Sequence, residues 1–248
     1  MRHISYRLCN LYVFFCIFID ISTIEMISQC VLFFLAGYET TASALTFTIH
    51  HLMVHSDIQE RVYDEIVENI KILKQEKLIE EDNCDKIFEI ITLDDLSRFK
   101  LLGAVLDETL RLYSPANGLE RTANNDVKIE SSDGKYKIDF VKGDLVHIPV
   151  YAVHRDERYF PNPDKFDPER FLGEREKEHH RYSFIPFGAG PRNCVARSFA
   201  LLEAKMALIH CIYNYKFSVC SKTSIPPKLL NQGGLISPID CFAAIERR

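Results

Sequence analysis

The stretch Phe187-Gly188-Ala189-Gly190-Pro191-Arg192-Asn193-Cys194 combines a Gly/Pro loop with a cysteine at the predicted start of a helix. Glycine permits backbone torsions that other residues avoid, so this loop can fold tightly beneath a flat ligand. At a helix start, the sulfur of Cys194 would meet unpaired amides and the positive end of the helix dipole, which favours the thiolate. The pattern therefore predicts a reactive thiolate at Cys194.

A thiolate held in this way suits the axial position of heme iron, and Arg192 could pair with a heme propionate. The alternative is a buried, inert cysteine in a tight turn. That alternative is favoured for Cys30 and Cys211, whose neighbours carry no such pattern. For Cys194 the combined pattern F-x-x-G-x-R-x-C disfavours it.

Composition narrows the class of protein. The chain has 248 residues, of which 47% are hydrophobic and 26% are charged, which excludes a disordered chain, a collagen-like fibre and a polytopic membrane bundle. Its formal net charge of -5 gives no global attraction to nucleic acid. The 8 Cys form no C-x-x-C pair, so we interpret them as dispersed reduced thiols rather than a zinc ribbon or a disulfide framework.

The periodicity of the chain predicts an α+β protein that is mostly helical. Ser22 and Glu25 form a capping box at the start of a long helix to about Met53, whose apolar segment 26–36 is predicted to run through the interior. Further helices are predicted at 56–70, with Ser56 as the cap, at 96–112 and at 195–213. Short strands are predicted at 127–129, 136–140 and 145–149, and a proline-rich meander at 156–192.

The first 21 residues form an apolar extension to the predicted main part, 22–248. Arg2, His3 and Arg7 precede an apolar run at 11–19, which is shorter than the about 20 residues that a membrane-spanning helix needs. Two interpretations stay open for this run. It is either an extension of the following helix or a membrane-targeting segment.

Two further constellations are candidates for chemistry or structure. Glu108 and Arg111 lie three residues apart on a helix, and Arg170 in the segment PERF could join them in a buried ion network. In the long helix, Glu39 and Thr40 place an acid beside an alcohol, which could relay protons. The alternative for the second is a glycine-kinked helix whose threonines bond to their own carbonyls. In the charged segment 174–181, the adjacent residues His179 and His180 are predicted to be surface residues rather than metal ligands.

Taken together, four ordered motifs resemble those of the cytochrome P-450 family. They are A-G-x-E-T-T, E-x-x-R, P-E-R-F and F-G-x-G-P-R-x-C, at Ala36–Thr41, Glu108–Arg111, Pro168–Phe171 and Phe187–Cys194. The resemblance runs from about Ser22 to the carboxyl end and is greatest to the microsomal branch that oxidises steroids and xenobiotics. It implies the carboxyl-terminal half of the cytochrome P-450 fold, with small β-sheets.

The resemblance also implies roles for individual residues. Cys194 would bind the iron of heme b, with Phe187, Gly188 and Gly190 in the loop beneath the ring and with Arg192 and Arg121 on the propionates. Glu39 and Thr40 would be catalytic and deliver protons, whereas Glu108, Arg111 and Arg170 would be structural. The substrate pocket would be bordered by Leu35, Ala36, Ala116, Leu119 and Leu235. Arg197 and Lys205 would lie on the surface that meets the reductase.

Two departures from the family pattern stand out. Ala196 occupies a position where the family usually has glycine, which adds one methyl group near the heme face. The chain also starts almost at the long buried helix and has no Trp, whereas family members carry a long amino-terminal portion with a membrane anchor, a distal lid and a propionate-binding Trp.

The implied function is a heme-thiolate monooxygenase that inserts one oxygen atom from O2 into a lipophilic small molecule. An NADPH-linked reductase, with cytochrome b5 as a further donor, would supply electrons at the cytosolic face of the endoplasmic reticulum membrane. Without the lid, water would reach the iron, so this short chain is predicted to be inactive. One alternative is a truncated, non-enzymatic remnant or an incomplete gene model that binds heme weakly or not at all. Another is a peroxide isomerase, against which the Glu39–Thr40 pair argues.

Overall fold

The computed structural model describes residues 21–78, 87–131 and 133–248. The chain divides into two compact units, residues 1–39 and residues 40–248. The helices are α1 (Thr23–Val54), α2 (Ser56–Glu76), α3 (Ile87–Ile90), α4 (Lys100–Leu112), α5 (Val150–Val153), α6 (Gly173–Lys177) and α7 (Arg197–Asn214). Short 3₁₀ helices span Asp94–Arg98, Pro168–Phe171 and Gly190–Arg192. The strands are β1 (Leu119–Thr122), β2 (Val127–Glu130), β3 (Lys137–Phe140), β4 (Leu145–Ile148), β5 (Tyr215–Ser218), β6 (Lys228–Gln232), β7 (Leu235–Ile239) and β8 (Ala244–Arg247).

The predicted capping box starts α1. The Glu25 amide donates to Ser22 Oγ at 3.3 Å, and the Ser22 amide donates to Glu25 Oε2 at 2.8 Å. The helix ends one residue beyond the predicted Met53. These two reciprocal bonds satisfy amides that a helix start otherwise leaves unpaired, which confirms the predicted start.

The predicted burial of α1 is correct only for its carboxyl-terminal part. Phe47 and Leu52 have no exposed surface, whereas residues 26–36 are exposed and Phe34 is 69% exposed. The prediction was therefore wrong for the segment 26–36. Apolar composition shows that a side chain favours burial, but it does not identify the segment that covers it.

Among the described helices, α1 is also the one with the length and the apolar composition to cross a membrane. That criterion rests on length and composition only, and the core helix of a soluble protein meets it as well.

The core of residues 40–248 is formed by helices whose apolar faces follow the predicted helical spacing. The predicted face of α2 is confirmed, because Ile58, Val62, Ile66 and Ile70 are all buried. The helix continues beyond the predicted end to Glu76, and it begins at Ser56 without a side-chain cap, so the cap prediction was wrong. The buried residues that α4 and α7 add to this core are Leu102, Val105, Leu106, Leu110, Leu112, Ala204, Leu208, Ile209 and Ile212.

Two polar side chains of α2 fix the positions of other elements. The carboxylate of Glu65 accepts the amides of Leu101 and Leu102 at 2.7 and 3.0 Å, so it caps the start of α4 from outside that helix. The amide side chain of Gln59 is buried, accepts from Phe217 N at 2.9 Å and donates to Phe217 O at 2.8 Å. Glu65 and Gln59 therefore tie α2 to α4 and to β5.

In the described part of the chain, the strands form four two-stranded antiparallel sheets, with the pairs β1–β4, β2–β3, β5–β8 and β6–β7. The predicted strands β2, β3 and β4 are confirmed within one or two residues. Strand β1 was not predicted, because its sequence Leu-Glu-Arg-Thr is short and mostly exposed and so has no apolar alternation. The fold is of the predicted α+β type and mostly helical.

Candidate functional site

The loop that leads to Cys194 is closed by its own backbone. Gly188 and Gly190 have φ values of +75° and +78°, which place both in the left-handed region that favours glycine. The Gly188 amide donates to Ile185 O at 3.0 Å, and the Cys194 amide donates to Phe187 O at 2.8 Å. The loop thus presents Cys194 on a tight turn, with an exposed side chain.

The helix that follows starts slightly later than predicted. Helix α7 begins at Arg197, and Cys194 lies three residues before it rather than at its first residue. The Arg197 amide still donates to the Cys194 carbonyl at 3.4 Å, so the loop and the first turn of α7 are joined directly. Ala196, at the position where the family usually has glycine, is the residue that immediately precedes the helix.

Two exposed arginines flank the loop. A guanidinium N–H of Arg121, on β1, donates to the main-chain carbonyl of Arg192 at 3.3 Å. Within residues 21–78, 87–131 and 133–248, neither Arg121 nor Arg192 forms an ion pair with a carboxylate. The structure therefore places two cations without a carboxylate partner beside Cys194.

Phe187 anchors the other side of the loop. Its half-buried ring packs against the core of the larger unit, and the guanidinium of Arg197 lies 5.9 Å from the ring centroid. The loop is thus fixed through an apolar contact at one end and through the backbone bond to Cys194 at the other.

Glu108, Arg111 and Arg170 lie together in the interior. Arg111 donates from Nε to Glu108 Oε2 at 2.6 Å and from a terminal nitrogen to Glu108 Oε1 at 2.9 Å, and both side chains are fully buried. Nε of Arg170 lies 3.4 Å from Glu108 Oε1, and the Asp167 amide donates to the same oxygen at 2.8 Å. One buried carboxylate is therefore surrounded by two guanidinium groups and a backbone amide.

The remaining donors of Arg111 bind main-chain carbonyls. They contact the carbonyl oxygens of His154, Pro163 and Lys165 at 2.8, 2.7 and 3.3 Å. The guanidinium also lies 5.2 Å from the ring centroid of Phe160. The ion network thus joins α4 to the proline-rich meander, which the spacing E-x-x-R alone does not indicate.

His154, which lies beside this network, was not predicted as a functional residue. Its side chain has no exposed surface, contacts Arg111 O through Nδ1 at 3.2 Å and accepts the Ile185 amide at Nε2 at 2.9 Å. Burial, with smaller contributions from Arg111 and Arg155, lowers the pKa of His154 to about 4. The sequence YAVHRDERYF carries no spacing signal that separates a buried histidine from an exposed one.

Of the predicted pocket residues, Leu119 lies near the loop, and Ala116 and Leu235 lie next to each other. Ala116 and Leu235 pair as an isolated antiparallel bridge. A Cβ on Gly188 would lie 3.7 Å from Leu119 Cδ1. The other two predicted pocket residues, Leu35 and Ala36, are exposed residues of the unit 1–39.

The predicted acid–alcohol pair lies in α1. Glu39 is exposed and is the last residue of the unit 1–39, and Thr40 is half-buried and is the first residue of the unit 40–248. Helix α1 continues through Gly37 without a break. The proton relay and the glycine-kinked helix therefore both stay predictions for this segment.

The surface around Arg197 and Lys205 is less basic than the sequence indicates. Gly103, Leu106, Asp107, Leu201 and Lys205 are among the residues that line a cavity of about 530 Å³ between α4, α7 and the 3₁₀ helix at Asp94–Arg98. Burial raises the pKa of Asp107 to about 6, although the charges of Lys205 and Arg197 oppose that shift. An acidic group thus lies close enough to the two predicted partner-facing cations for both charges to act on it.

Cys194 also differs from the other described cysteines. Burial raises the pKa of the Cys211 and Cys241 thiols, which fits the inert role predicted for Cys211. Cys30 is exposed on α1, so the prediction that it is buried was wrong. A hydrogen bond from the Thr223 hydroxyl lowers the pKa of Cys220, far along the chain from the Gly/Pro loop. Cys194 combines an exposed side chain with two flanking arginines, Arg121 and Arg192.

The histidine pair of the meander is divided between two environments. His180 is exposed, as predicted, but His179 is half-buried, contacts Arg170 O through Nε2 at 2.8 Å and lies about 5 Å from the rings of Phe160 and Phe171. The described residues contain no group of three or more His, Cys, Asp or Glu that could hold a metal ion. The predicted surface position was therefore wrong for His179, which contacts the ion network at Arg170.

Comparison with known proteins gives one family. The family model of cytochrome P450 matches residues 20–242. Cytochrome P450 3A9 of Rattus norvegicus is 39% identical over 218 residues, which cover 88% of this chain and 39% of that protein. Cytochrome P450 9e2 of Blattella germanica is 38% identical over 209 residues, which cover 84% of this chain and 36% of that protein. This chain thus spans about two fifths of the length of these relatives.

Proposed function

Because this chain belongs to the cytochrome P450 family, we propose that it is the heme-binding carboxyl-terminal part of a monooxygenase. The proposed reaction inserts one oxygen atom from O2 into a lipophilic small molecule. The observation that carries the proposal is the exposed Cys194 on a turn of two left-handed glycines, beside Arg121 and Arg192.

The residues of the loop fit heme b, the cofactor of this family. A heme needs a ligand for its iron and cations for its two propionates. The loop offers one exposed sulfur and the guanidinium of Arg192, and β1 offers that of Arg121; no carboxylate neutralises either in the described part of the chain. When bound through a thiolate, heme supplies an iron centre whose ligand favours cleavage of the O–O bond. Cys194, Arg121 and Arg192 would hold it, and Phe187, Gly188 and Gly190 would shape the loop.

Glu39 and Thr40 are the proposed catalytic pair. A carboxylate followed by a hydroxyl can take up a proton from bulk water and hold it at Thr40 Oγ1, and such a proton would be available to the reaction that the heme supplies. Ala116, Leu119 and Leu235, all in the unit 40–248, are proposed to border the substrate pocket, and Leu35 and Ala36 stay predictions. Their apolar side chains suit a lipophilic substrate.

The proposed electron donor is an NADPH-linked reductase, with cytochrome b5 as a further donor, at the cytosolic face of the endoplasmic reticulum membrane. The cations Arg197 and Lys205 support an acidic partner surface. Lys205→Glu should slow reduction by the reductase and weaken its dependence on salt, whereas Lys128→Glu, on the β2–β3 hairpin, should not. Equal effects of the two variants would argue against this surface.

The heme proposal is tested by a reduced carbon-monoxide difference spectrum of the heme-reconstituted chain. We expect a thiolate-type band that Cys194→Ser abolishes and that the matched control Cys220→Ser retains. Absence of the band in the wild-type chain would reject heme-thiolate ligation for this chain. It would favour the alternative of a non-enzymatic remnant.

A further inference from the structure

His154 has a defined protonation state, because its two ring nitrogens have partners of opposite kind. The Ile185 amide can only donate a hydrogen bond, so Nε2, at 2.9 Å from it, must carry a lone pair. The Arg111 carbonyl can only accept, so Nδ1, at 3.2 Å from it, must carry the proton. Both bonds exist only in the neutral imidazole with its proton on Nδ1.

The two partners of His154 belong to different functional elements. Arg111 lies in the last turn of α4, and its side chain holds the buried Glu108 carboxylate. Ile185 lies at the entrance to the loop, where its carbonyl accepts the Gly188 amide. The Phe187 carbonyl in turn accepts the Cys194 amide. His154 is thus a side-chain connection between the ion network and the loop that carries the proposed ligand.

The surroundings of the ring favour its neutral form. It packs between Phe184 and Phe160, whose ring centroids lie 5.5 and 6.5 Å away. The charged groups that act on it are Arg111, from α4, and Arg155, which follows it in the chain. Both are cations, so a charged imidazolium would be repelled as well as desolvated.

We infer that His154 is the positioning residue of the Cys194 loop, and that its neutral imidazole fixes the loop to α4 by donating one hydrogen bond and accepting another. Protonation of Nε2 would leave the Ile185 amide facing a second donor, and the attachment of the loop to α4 through His154 would be lost. The inference rests on the proposed function only in taking Cys194 as the ligand.

Two substitutions separate the hydrogen bonds from the volume of the side chain. His154→Gln keeps one acceptor and one donor on a side chain that does not titrate in this range, so it can replace both bonds. His154→Leu keeps a similar apolar volume without either bond. His180→Leu is the matched control, because His180 is an exposed histidine of the same region.

Residue-resolved amide hydrogen exchange on the full chain at neutral pH measures the expected effect. In His154→Leu, exchange at Ile185, Gly188 and Cys194 should rise about tenfold or more. The Ile185 amide loses its acceptor on the imidazole, and the Gly188 amide then bonds to a carbonyl of a residue that is held less firmly. Exchange at Asp167, whose amide donates to Glu108, should stay near the wild-type rate. His154→Gln should return the loop to about the wild-type rates, and His180→Leu should leave them unchanged.

Several results would overturn the inference. A uniform rise in exchange that includes Asp167 would mean a general loss of stability, and unchanged loop exchange would mean no coupling. If His154→Leu does not fold, the ¹⁵N shifts of the wild-type imidazole decide instead. A proton on Nε2, or a charged ring at neutral pH, would contradict the assignment.

The pH dependence supplies a final criterion that a purely structural role would not meet. Below about pH 5, protection factors of the loop should fall in the wild-type chain before those of Asp167, but not in His154→Gln. Normal exchange behaviour without a thiolate-type heme band would reject the proposed function and leave the positioning role intact. A thiolate-type heme band, together with a uniform rise in exchange in His154→Leu, would support the proposed function and reject the positioning role.

Discussion

Replacing Arg111 by alanine tests the buried ion network most directly. The guanidinium group has no exposed surface and donates five hydrogen bonds, two of them to Glu108 and three to main-chain carbonyls. In Arg111→Ala the Glu108 carboxylate would stay buried. Within the described residues it would retain the Asp167 amide at 2.8 Å and the more distant Arg170 at 3.4 Å.

The magnitude follows from the charge that is left behind rather than from the number of bonds lost. Removing one partner of a buried ion pair costs about 3–5 kcal/mol, because the remaining charge is desolvated without compensation. A domain of ordinary stability has about 5–15 kcal/mol in total. Arg111→Ala should therefore remove a large part of the free energy of unfolding, and a heme-loaded form should not accumulate.

Arg98→Ala is a matched control, because it breaks an Arg–Glu pair of the same kind at the surface. Arg98 donates to both oxygens of Glu76 at 3.0 and 2.9 Å, but the two side chains are 38% and 48% exposed. Solvent screens such a pair, so its loss should cost at most about 1 kcal/mol. The two variants share their chemistry and differ in burial.

Urea denaturation monitored by circular dichroism measures both free energies of unfolding. Equal losses in the two alanine variants would refute the reasoning, since burial would then have no effect. If Arg111→Ala does not fold, Arg111→Lys keeps the charge without the planar fork and should show an intermediate loss. Wild-type stability in Arg111→Lys would be equally contradictory.

Three further predictions concern other elements. Glu65→Ala should lower the free energy of unfolding by about 1–2 kcal/mol in urea denaturation, because it uncaps α4; an unchanged midpoint would contradict this cap. Gly188→Ala would place its Cβ no closer than 3.7 Å to Asn193 or Leu119, so the expected cost of about 1–2 kcal/mol arises from its φ of +75°, and a neutral effect would contradict that strain. Burial lowers the pKa of His51 from 6.5 to about 3, so the unfolded chain binds the extra proton and stability should fall as the pH decreases through that window. His51→Phe should reduce that slope by about one proton, or 1.4 kcal/mol per pH unit, and the same slope in both chains would contradict the assignment.

Sequence patterns predicted the features that depend on neighbouring residues. The capping box at Ser22 and the apolar face of α2 follow from spacings of three or four residues, so local geometry was sufficient. The turn at Gly188 was likewise indicated by residue type, because few other residues adopt its torsions.

Features that depend on distant residues were not predictable in the same way. Glu65 caps a helix that starts 35 residues later, and no pattern in the neighbouring sequence predicts this partner. Strand β1 is defined by its pairing with β4 rather than by its own sequence. Residues 26–36 are apolar but exposed. Composition therefore indicates that a segment favours burial, but it does not indicate which other segment would cover it.

The ion network shows why E-x-x-R is a weak motif in sequence and a strong one in structure. Arg111 directs three of its hydrogen bonds to carbonyls, which every residue carries, so the side chains at those positions leave no sequence signature. The same holds for His154, whose two partners are a carbonyl and an amide. Side-chain identity is therefore constrained at the few positions that supply charge or a ring nitrogen, and the meander between them is constrained mainly in its backbone path. Because the proposed ligand loop is joined to that path at Ile185, the position of Cys194 depends on backbone contacts that a motif search does not record.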